Sequence, residues 1–370
     1  MPVEFIGMLG TNGFSESRLP SGPAIDKTYV AAIAQAHEYA GFDRALIGYF
    51  SVGADGFQVA GYAAAQTSRL KFLLAHRPGF VAPALAARQL ASLDHFTDGR
   101  LAVHIITGGD DAEQQKEGDF LDKDQRYART DEYLDIVKKV WTLDRPFDHD
   151  GQYYRVKGGF TPIKPLQKPH LPVYFGGSSD VALRVAAKHA DVYALWGESL
   201  AQVRETVNAV RAAAAAHGRQ TPIRFSLSLR PILGATEAEA WARAERILEA
   251  ARALQPKSTV YGPRTGGPQN VGSQRLLAAA AQGKVLDKRL WTEIAALTGA
   301  KGNSTSLVGT PEQVTESLLE YYDIGISTFL IRGFDPIEDA LQYGRELLPL
   351  VRAAIARRDT ESPTRTAIAV

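Results

Sequence analysis

Leu171-Pro172-Val173-Tyr174-Phe175-Gly176-Gly177-Ser178-Ser179-Asp180 is the stretch on which the reading of this chain turns. A short apolar run gives way to two glycines and two serines, and Asp180-Val181-Ala182-Leu183-Arg184 then opens a helix. Glycine lets backbone come close to a ligand, serine hydroxyls donate hydrogen bonds, and the unpaired N–H groups of a helix N-terminus favour an anion. The segment has the chemistry of a phosphate seat. The competing reading is an ordinary strand-to-helix turn with a serine cap. Either way it is one strand–loop–helix unit.

That unit repeats on both sides. Short apolar runs predict strands over 3–8, 44–48, 70–75, 101–107, 173–175, 192–195, 224–232 and 328–331. They are runs rather than strict alternations, as expected of strands buried on both faces. Helical patterns fill the gaps over 27–39, 56–65, 83–93, 126–141, 181–188, 200–217, 237–253, 311–321 and 337–353. Some carry start signals, such as Thr310-Pro311-Glu312-Gln313, with a cap, a proline at the first position and an acid after it. Eight strands interleaved with helices fit a (β/α)8 TIM barrel. A doubly wound sheet would want a glycine fingerprint after its first strand, and Met8-Leu9-Gly10-Thr11-Asn12-Gly13 does not supply one.

The barrel would occupy 1–358 as a single domain, with a tail over 359–370 that forms a surface extension within reach of another subunit. Two insertions interrupt it. Residues 145–170 are rich in proline, glycine and aromatics, with a hairpin placed around Asp150-Gly151. Residues 254–306 combine a mobile-looking Gly262-Pro263-Arg264-Thr265-Gly266-Gly267-Pro268 with a helical pattern over 286–297. A long insertion at this point reads as an active-site lid.

Composition excludes several classes. Forty-two basic against 41 acidic residues give a net charge of +1, which offers no reason to expect nucleic acid or an anionic membrane as partner. The absence of cysteine removes disulfides, thiolate metal sites and a cysteine nucleophile. No apolar stretch is long enough for a membrane span and no signal peptide is evident, so a cytoplasmic location is the default expectation.

In a barrel of this type, chemistry gathers where strands end. Those ends carry Asn12, the Ser51-Val52-Gly53-Ala54-Asp55 loop, His76-Arg77, Thr107-Gly108-Gly109-Asp110, the Gly176–179 loop, Trp196-Gly197-Glu198, Ser228 with Arg230, and Arg332-Gly333-Phe334-Asp335. His76 and Arg77 could instead cap the barrel by pairing with Asp55 or Asp110, and Trp196 could be core. His104, inside the fourth strand, reads as a satisfied core histidine. No histidine and carboxylate spacing matches a zinc or iron site, so no metal is expected. There is no pair of facing carboxylates for glycoside cleavage and no G-x-S-x-G elbow for a serine nucleophile. The rim therefore points to a cofactor as the carrier of chemistry.

These segments, in this order, resemble the bacterial-luciferase-like, flavin-dependent monooxygenases, and among them the alkanesulfonate monooxygenase group. The resemblance rests on Ala87-Arg88-Gln89, Leu93-Asp94, Gly99-Arg100, Ile106-Thr107-Gly108, Phe120-Leu121, Gln125-Arg126-Tyr127, the Tyr174-to-Ser179 stretch, Trp196-Gly197-Glu198, Val271-Gly272-Ser273-Gln274-Arg275 and Leu307-Val308-Gly309-Thr310. It implies a TIM barrel assembled as a homodimer or homotetramer. It also implies reduced FMN supplied by a separate NAD(P)H-dependent FMN reductase, and oxygenation of a small organosulfur substrate, an alkanesulfonate cleaved to aldehyde and sulfite in the first instance. A sulfone or another non-sulfonate molecule is the alternative, and a flavin-binding protein without turnover is the reading from a different class.

Carried over by position, the resemblance implies that Gly177, Ser178 and Ser179 hold the FMN phosphate and that Thr107 and Tyr127 contact the flavin. His76 is the proton-transfer candidate, Arg230 the clamp for an anionic head, and Trp196 a wall of the reaction space. Asn12, Asp55, Arg77, Ser228, Lys301, Arg332 and Phe334 complete the substrate pocket. The sequence departs from the sulfonate group on that side. Ser228 and Arg230 replace an Arg-x-His pair, Ala300 stands where the lid arginine is usual, Phe334 and Pro336 replace a tyrosine and a histidine, and Asn12 replaces a histidine.

Overall fold

The computed structural model describes residues 3–257 and 266–361. The strands are β1 (Glu4–Leu9), β2 (Arg44–Ile47), β3 (Lys71–His76), β4 (Leu101–Ile105), β5 (Phe147–Asp150), β6 (Arg155–Gly159) and β7 (Val173–Gly176). They continue as β8 (Val192–Trp196), β9 (Arg224–Leu233), β10 (Val285–Leu286), β11 (Leu290–Trp291), β12 (Ser306–Gly309) and β13 (Ile326–Ile331). The first helices are α1 (Lys27–Tyr39), α2 (Gly56–Ala65), α3 (Pro83–Phe96), α4 (Asp111–Gln115), α5 (Lys123–Thr142), α6 (Asp180–His189) and α7 (Leu200–Ala216). The remainder are α8 (Glu237–Leu254), α9 (Val271–Ala280), α10 (Glu293–Thr298), α11 (Pro311–Ile324), α12 (Pro336–Gln342) and α13 (Leu348–Glu361).

Eight strands close a parallel barrel in the order β1-β2-β3-β4-β7-β8-β9-β13, with β13 returning to β1. This is the TIM barrel that the strand–helix repeat predicts. Apolar runs explain it, because each strand feeds one set of side chains to the barrel interior and the other to the ring of helices. Outward residues such as Phe72, Val103, Phe175, Leu227 and Phe329 join the large core beneath the helices. Inward residues form a smaller cluster of Ile6, Leu73, Ala102, Tyr174 and Val192. Below it Arg44 donates to Glu4 at 3.3 Å while the Tyr174 hydroxyl donates to Glu4 at 3.2 Å, so the floor of the barrel is a closed polar plug.

The alternation places His104, Trp196, Ser228, Arg230 and Arg332 on inward positions toward the C-terminal mouth. Helix caps fix where the loops begin. Asp55, Ser179, Ser199, Thr236 and Thr310 each accept from a backbone N–H in the first turn of the helix that follows.

The first insertion is the expected hairpin, with Asp150 opposite Arg155 and Gly151 N donating to Tyr154 O at 3.0 Å. The second differs from its prediction. The 286–297 segment is the short antiparallel pair β10–β11 followed by the six-residue α10 rather than one helix. A separate helix, α9, covers 271–280. Strand β9 runs to Leu233, and its far half pairs with β12 outside the barrel, from Ser306 opposite Arg230 to Gly309 opposite Leu233. That pairing needs a strand long enough to serve two neighbours, which short apolar runs do not reveal. The expected mobile stretch falls largely on 262–265 and the expected tail on 362–370, both outside the described residues. No helix among the described residues is long and apolar enough to cross a membrane.

Candidate active site

The loop after β7 is built as a cradle. Gly177 has φ +145°, a conformation that side-chain-bearing residues rarely adopt. A Cβ there would lie 2.8 Å from both Ala182 Cβ and the Tyr127 hydroxyl. The Tyr193 hydroxyl donates to Gly177 O and fixes the peptide from below. Ser179 caps α6, accepting from Ala182 N at 3.4 Å, and its side chain also hydrogen-bonds Tyr127. Burial pushes the Tyr127 phenol upward, and the Ser179 hydrogen bond together with Arg126 pulls it only partly back. Tyr127 is therefore a neutral donor at neutral pH. Gly177, Ser178 and Ser179 stay half-buried at the N-terminal end of a ten-residue helix, where an anion meets N–H groups and hydroxyls together.

On the neighbouring strand, the end of β4 has polar groups without partners among the described residues. Thr107 is buried and its hydroxyl makes no hydrogen bond. Gln114, fully buried, leaves both amide atoms unsatisfied. It packs against Gly108, whose φ is +97° and where a Cβ would lie 2.4 Å from the Gln114 amide carbon. The imidazole of His104 points into the barrel with Nδ1 unpartnered, and burial lowers its pKa to about 4. His104 is thus not the satisfied core histidine that its place in a strand suggests. Orphaned buried polar atoms are rare and each calls for an explanation. Here they sit at the end of the strand that pairs directly with β7.

The second insertion bridges the two sides. Gln269 accepts from Asp111 N at 2.9 Å beyond β4. Arg275 on α9 grips Glu198 beyond β8 through Nε at 2.9 Å and Nη2 at 2.8 Å. Between these anchors Gly272 lies on Trp196, where a Cβ would come within 2.9 Å of the indole. Trp196 also touches a small apolar cluster of Leu276, Ala295 and Ala300. It therefore packs beneath the second insertion.

The expected substrate side is arranged differently from its sequence reading. Arg230 is fully buried, with Nη1 2.6 Å from Glu16 Oε2, Nη2 donating to Gly333 O at 2.8 Å, and its guanidinium 3.5 Å above the Phe334 ring. Arg332 donates to Glu16 Oε1 and to Asn303 O, both at 3.1 Å. An arginine so engaged is not an open clamp. Burial pushes the Glu16 carboxyl up, but Arg230 and then Arg332 outweigh that and hold it below the ordinary range. Phe334 is core, packed with Ile232, Trp291 and Val308, rather than pocket wall.

His76 sits 2.6 Å from the Tyr133 hydroxyl through Nε2, edge-on to Phe57, with its pKa lowered by burial to about 4. It is neutral at physiological pH, and its Nε2 faces Tyr133 rather than the mouth. Arg77 lies over Tyr49 at 4.5 Å and pairs with Glu117 at 3.4 Å, not with Asp55 or Asp110. Asp55 caps α2, and Lys301 is half-buried just past Ala300. Ser228 is buried opposite Trp196. Asn12 and Arg332, with Phe14, Phe50, Met8 and Gly333, line a small, mainly apolar cleft of about 50 Å³. Sequence reasoning missed Glu16 and Gln114. Neither lies at a strand end, and a lone Glu or Gln carries no local signal.

The profile of the luciferase-like monooxygenases matches residues 5–328. The chain belongs to that family. The luciferase-like fold recurs in solved structures that cover nearly all of the chain. Riboflavin lyase RcaE, solved with modified FMN and riboflavin, superposes with a TM-score of 0.78 at 20% identity, over 96% of this chain and 92% of that one. DmoA from Hyphomicrobium sulfonivorans gives 0.76 at 22% identity, over 95% and 88%. The EDTA monooxygenase EmoA from Chelativorans sp. BNC1 gives 0.74 at 20%, over 96% and 94%. Likeness at this level of identity establishes the shared barrel, and the family match establishes a flavin-dependent monooxygenase. The features of the β7 cradle suit FMN: a glycine held where a Cβ would clash, hydroxyls at a helix start, and unsatisfied polar atoms at the end of the adjacent β4.

Proposed function

We propose that this luciferase-like enzyme is a two-component monooxygenase. It takes reduced FMN from a separate NAD(P)H-dependent flavin reductase and oxygenates a small organosulfur compound with O2. The observation that carries the reading is the cradle of Gly177, Ser178, Ser179 and Tyr127 after β7, with the orphaned Thr107 hydroxyl after the adjacent β4. The two serines, the Gly177 backbone and Tyr127 would hold the phosphate at the start of α6. Thr107 would donate to the polar part of the ring system, with Gln114 behind it. When bound, reduced FMN supplies two electrons, so that one oxygen atom of O2 enters the substrate and the other leaves as water.

The chain's own residues position and shield. The lid between Gln269 and Arg275 closes the mouth and keeps water out of the reaction space. Trp196 would wall the reaction space under the second insertion, and the apolar cleft beside Asn12 and Phe14 would admit the substrate from the β1 side. Between substrate classes, the occupation of Arg230 and Arg332 by Glu16 favours a sulfone or another uncharged molecule over an alkanesulfonate.

The test is an assay of purified protein with a flavin reductase, NADH, FMN and 18O2, screened against sulfonates, sulfones and thioethers. Labelled product from one of these classes is expected. Tight binding of reduced FMN without labelled product from any class would support a non-catalytic flavin carrier instead.

A further inference from the structure

Glu16 is the tip of a tight turn, and its burial is unusual for so exposed a type of segment. Ser15 N donates to Arg18 O at 3.0 Å, and Arg18 N returns to Ser15 O at 3.3 Å. Ser17 N donates to the Ser15 hydroxyl at 3.3 Å, and Arg18 pairs with Asp335 at 3.4 Å on the far side. The turn pushes the Glu16 side chain, 1% exposed, between the ends of β9 and β13. Leu330 pairs with Ser228, so two residues further on Arg332 and Arg230 leave neighbouring strands on the same face. Both guanidiniums converge on the one carboxylate.

Two guanidiniums around one small anion is the geometry that would recognise a sulfonate or carboxylate ligand. Here the anion is part of the protein. Arg332, with Phe14 two residues before Glu16, also lines the cleft, so the cleft reaches one arm of the ion cluster while Arg230 and Glu16 lie buried behind it. An anionic ligand could reach the arginines only by expelling Glu16, whose carboxylate would then have to leave a buried position or stay there without its partners.

We infer that Glu16 is a specificity-determining residue. Its carboxylate occupies the Arg230–Arg332 fork in place of a ligand's anionic head and so reserves the cleft for uncharged substrates. The inference rests on the monooxygenase reading for the word substrate, but its test is a binding measurement independent of turnover.

Calorimetric titration with propane-1-sulfonate and with its uncharged counterpart, methyl propyl sulfone, is made on wild type, Glu16→Gln and Glu16→Ala. Titration with FMN serves as the control. Wild type is expected to bind the sulfone at least about 10-fold more tightly than the sulfonate. In the Glu16 variants sulfonate affinity is expected to rise by about 10-fold or more while FMN affinity stays level, a gain that a merely structural role would not produce. The inference is overturned if a variant with normal FMN affinity shows no sulfonate gain. Should both variants fail to fold, wild type alone decides, and sulfonate binding equal to or tighter than sulfone binding overturns the idea. Failure of the monooxygenase reading would show separately, as loss of FMN binding or of oxygen incorporation in wild type.

Discussion

The two halves of the barrel mouth treat their polar groups in opposite ways. On the β4–β7 side, the Thr107 hydroxyl and the Gln114 amide are buried without partners among the described residues, beside the α6 start with its half-buried Gly177 and Ser178 and its Ser179 cap. On the β9–β13 side, Glu16 has already claimed Arg230 and Arg332, and Phe334 seals the arginine from beneath. The first half holds neutral polar groups that the described residues leave unpaired; the second pairs charge with charge. A site of the first kind shows its ligand's chemistry by what is missing. One of the second kind shows only what it rejects.

Several measurements would break or sharpen this contrast. The largest effect belongs to the ion-paired side. Glu16→Ala leaves two clustered cations without their carboxylate and is expected to cost about 3–5 kcal/mol of folding stability, read by urea denaturation. A loss under about 1 kcal/mol would mean that the triad contributes little to stability.

Acid stability follows. His37, His76 and His104 are all held neutral, each with its pKa lowered by burial to about 4 from 6.5. Because the unfolded chain takes up protons first as pH falls, stability is full above about pH 6.5 and is lost progressively toward pH 4, on the order of 3 kcal/mol for each ring. The upper part of that window lies above the range of ordinary carboxylates, so a melting temperature unchanged between pH 7 and pH 5 would contradict the neutral burial of these rings.

Gly177→Val should leave the barrel folded but weaken FMN binding. A side chain at φ +145°, 2.8 Å from Ala182 and Tyr127, imposes strain of about 1–3 kcal/mol, or roughly 10- to 100-fold in affinity. Unchanged affinity by fluorescence titration would move the phosphate elsewhere. The smallest effect is the most diagnostic. Thr107→Val removes a hydroxyl that no protein group uses, so the flavin-free protein should melt as wild type while FMN affinity falls by about 1 kcal/mol. The reverse pattern would give Thr107 a structural role.

Much of the barrel was legible because its signals are local. Apolar runs, caps such as Thr310-Pro311, and the glycines after β7 each report on their own neighbourhood. The cradle was legible for the same reason: a strand, two glycines, two serines and a helix start are contiguous. What could not be read was set by partners far away in the chain. Arg230 looked like a free clamp because Glu16 lies more than two hundred residues earlier, on a turn with no pattern of its own. His76 looked like a proton-transfer group because nothing in its neighbourhood announces Tyr133, 57 residues on. The helix over 271–280 was missed because its stability comes from the grip of Arg275 on Glu198 and from packing under Trp196, not from a strong pattern within its ten residues.

The most direct test of the contrast is a crystal structure of the protein with reduced FMN bound under anaerobic conditions. The phosphate is expected within hydrogen-bonding distance of Ser178 and Ser179 at the start of α6, with the ring system engaging Thr107 and with Glu16 still paired to Arg230 and Arg332. A phosphate seated on Arg230 or Arg332, with Glu16 displaced, would contradict the account on both sides of the mouth at once.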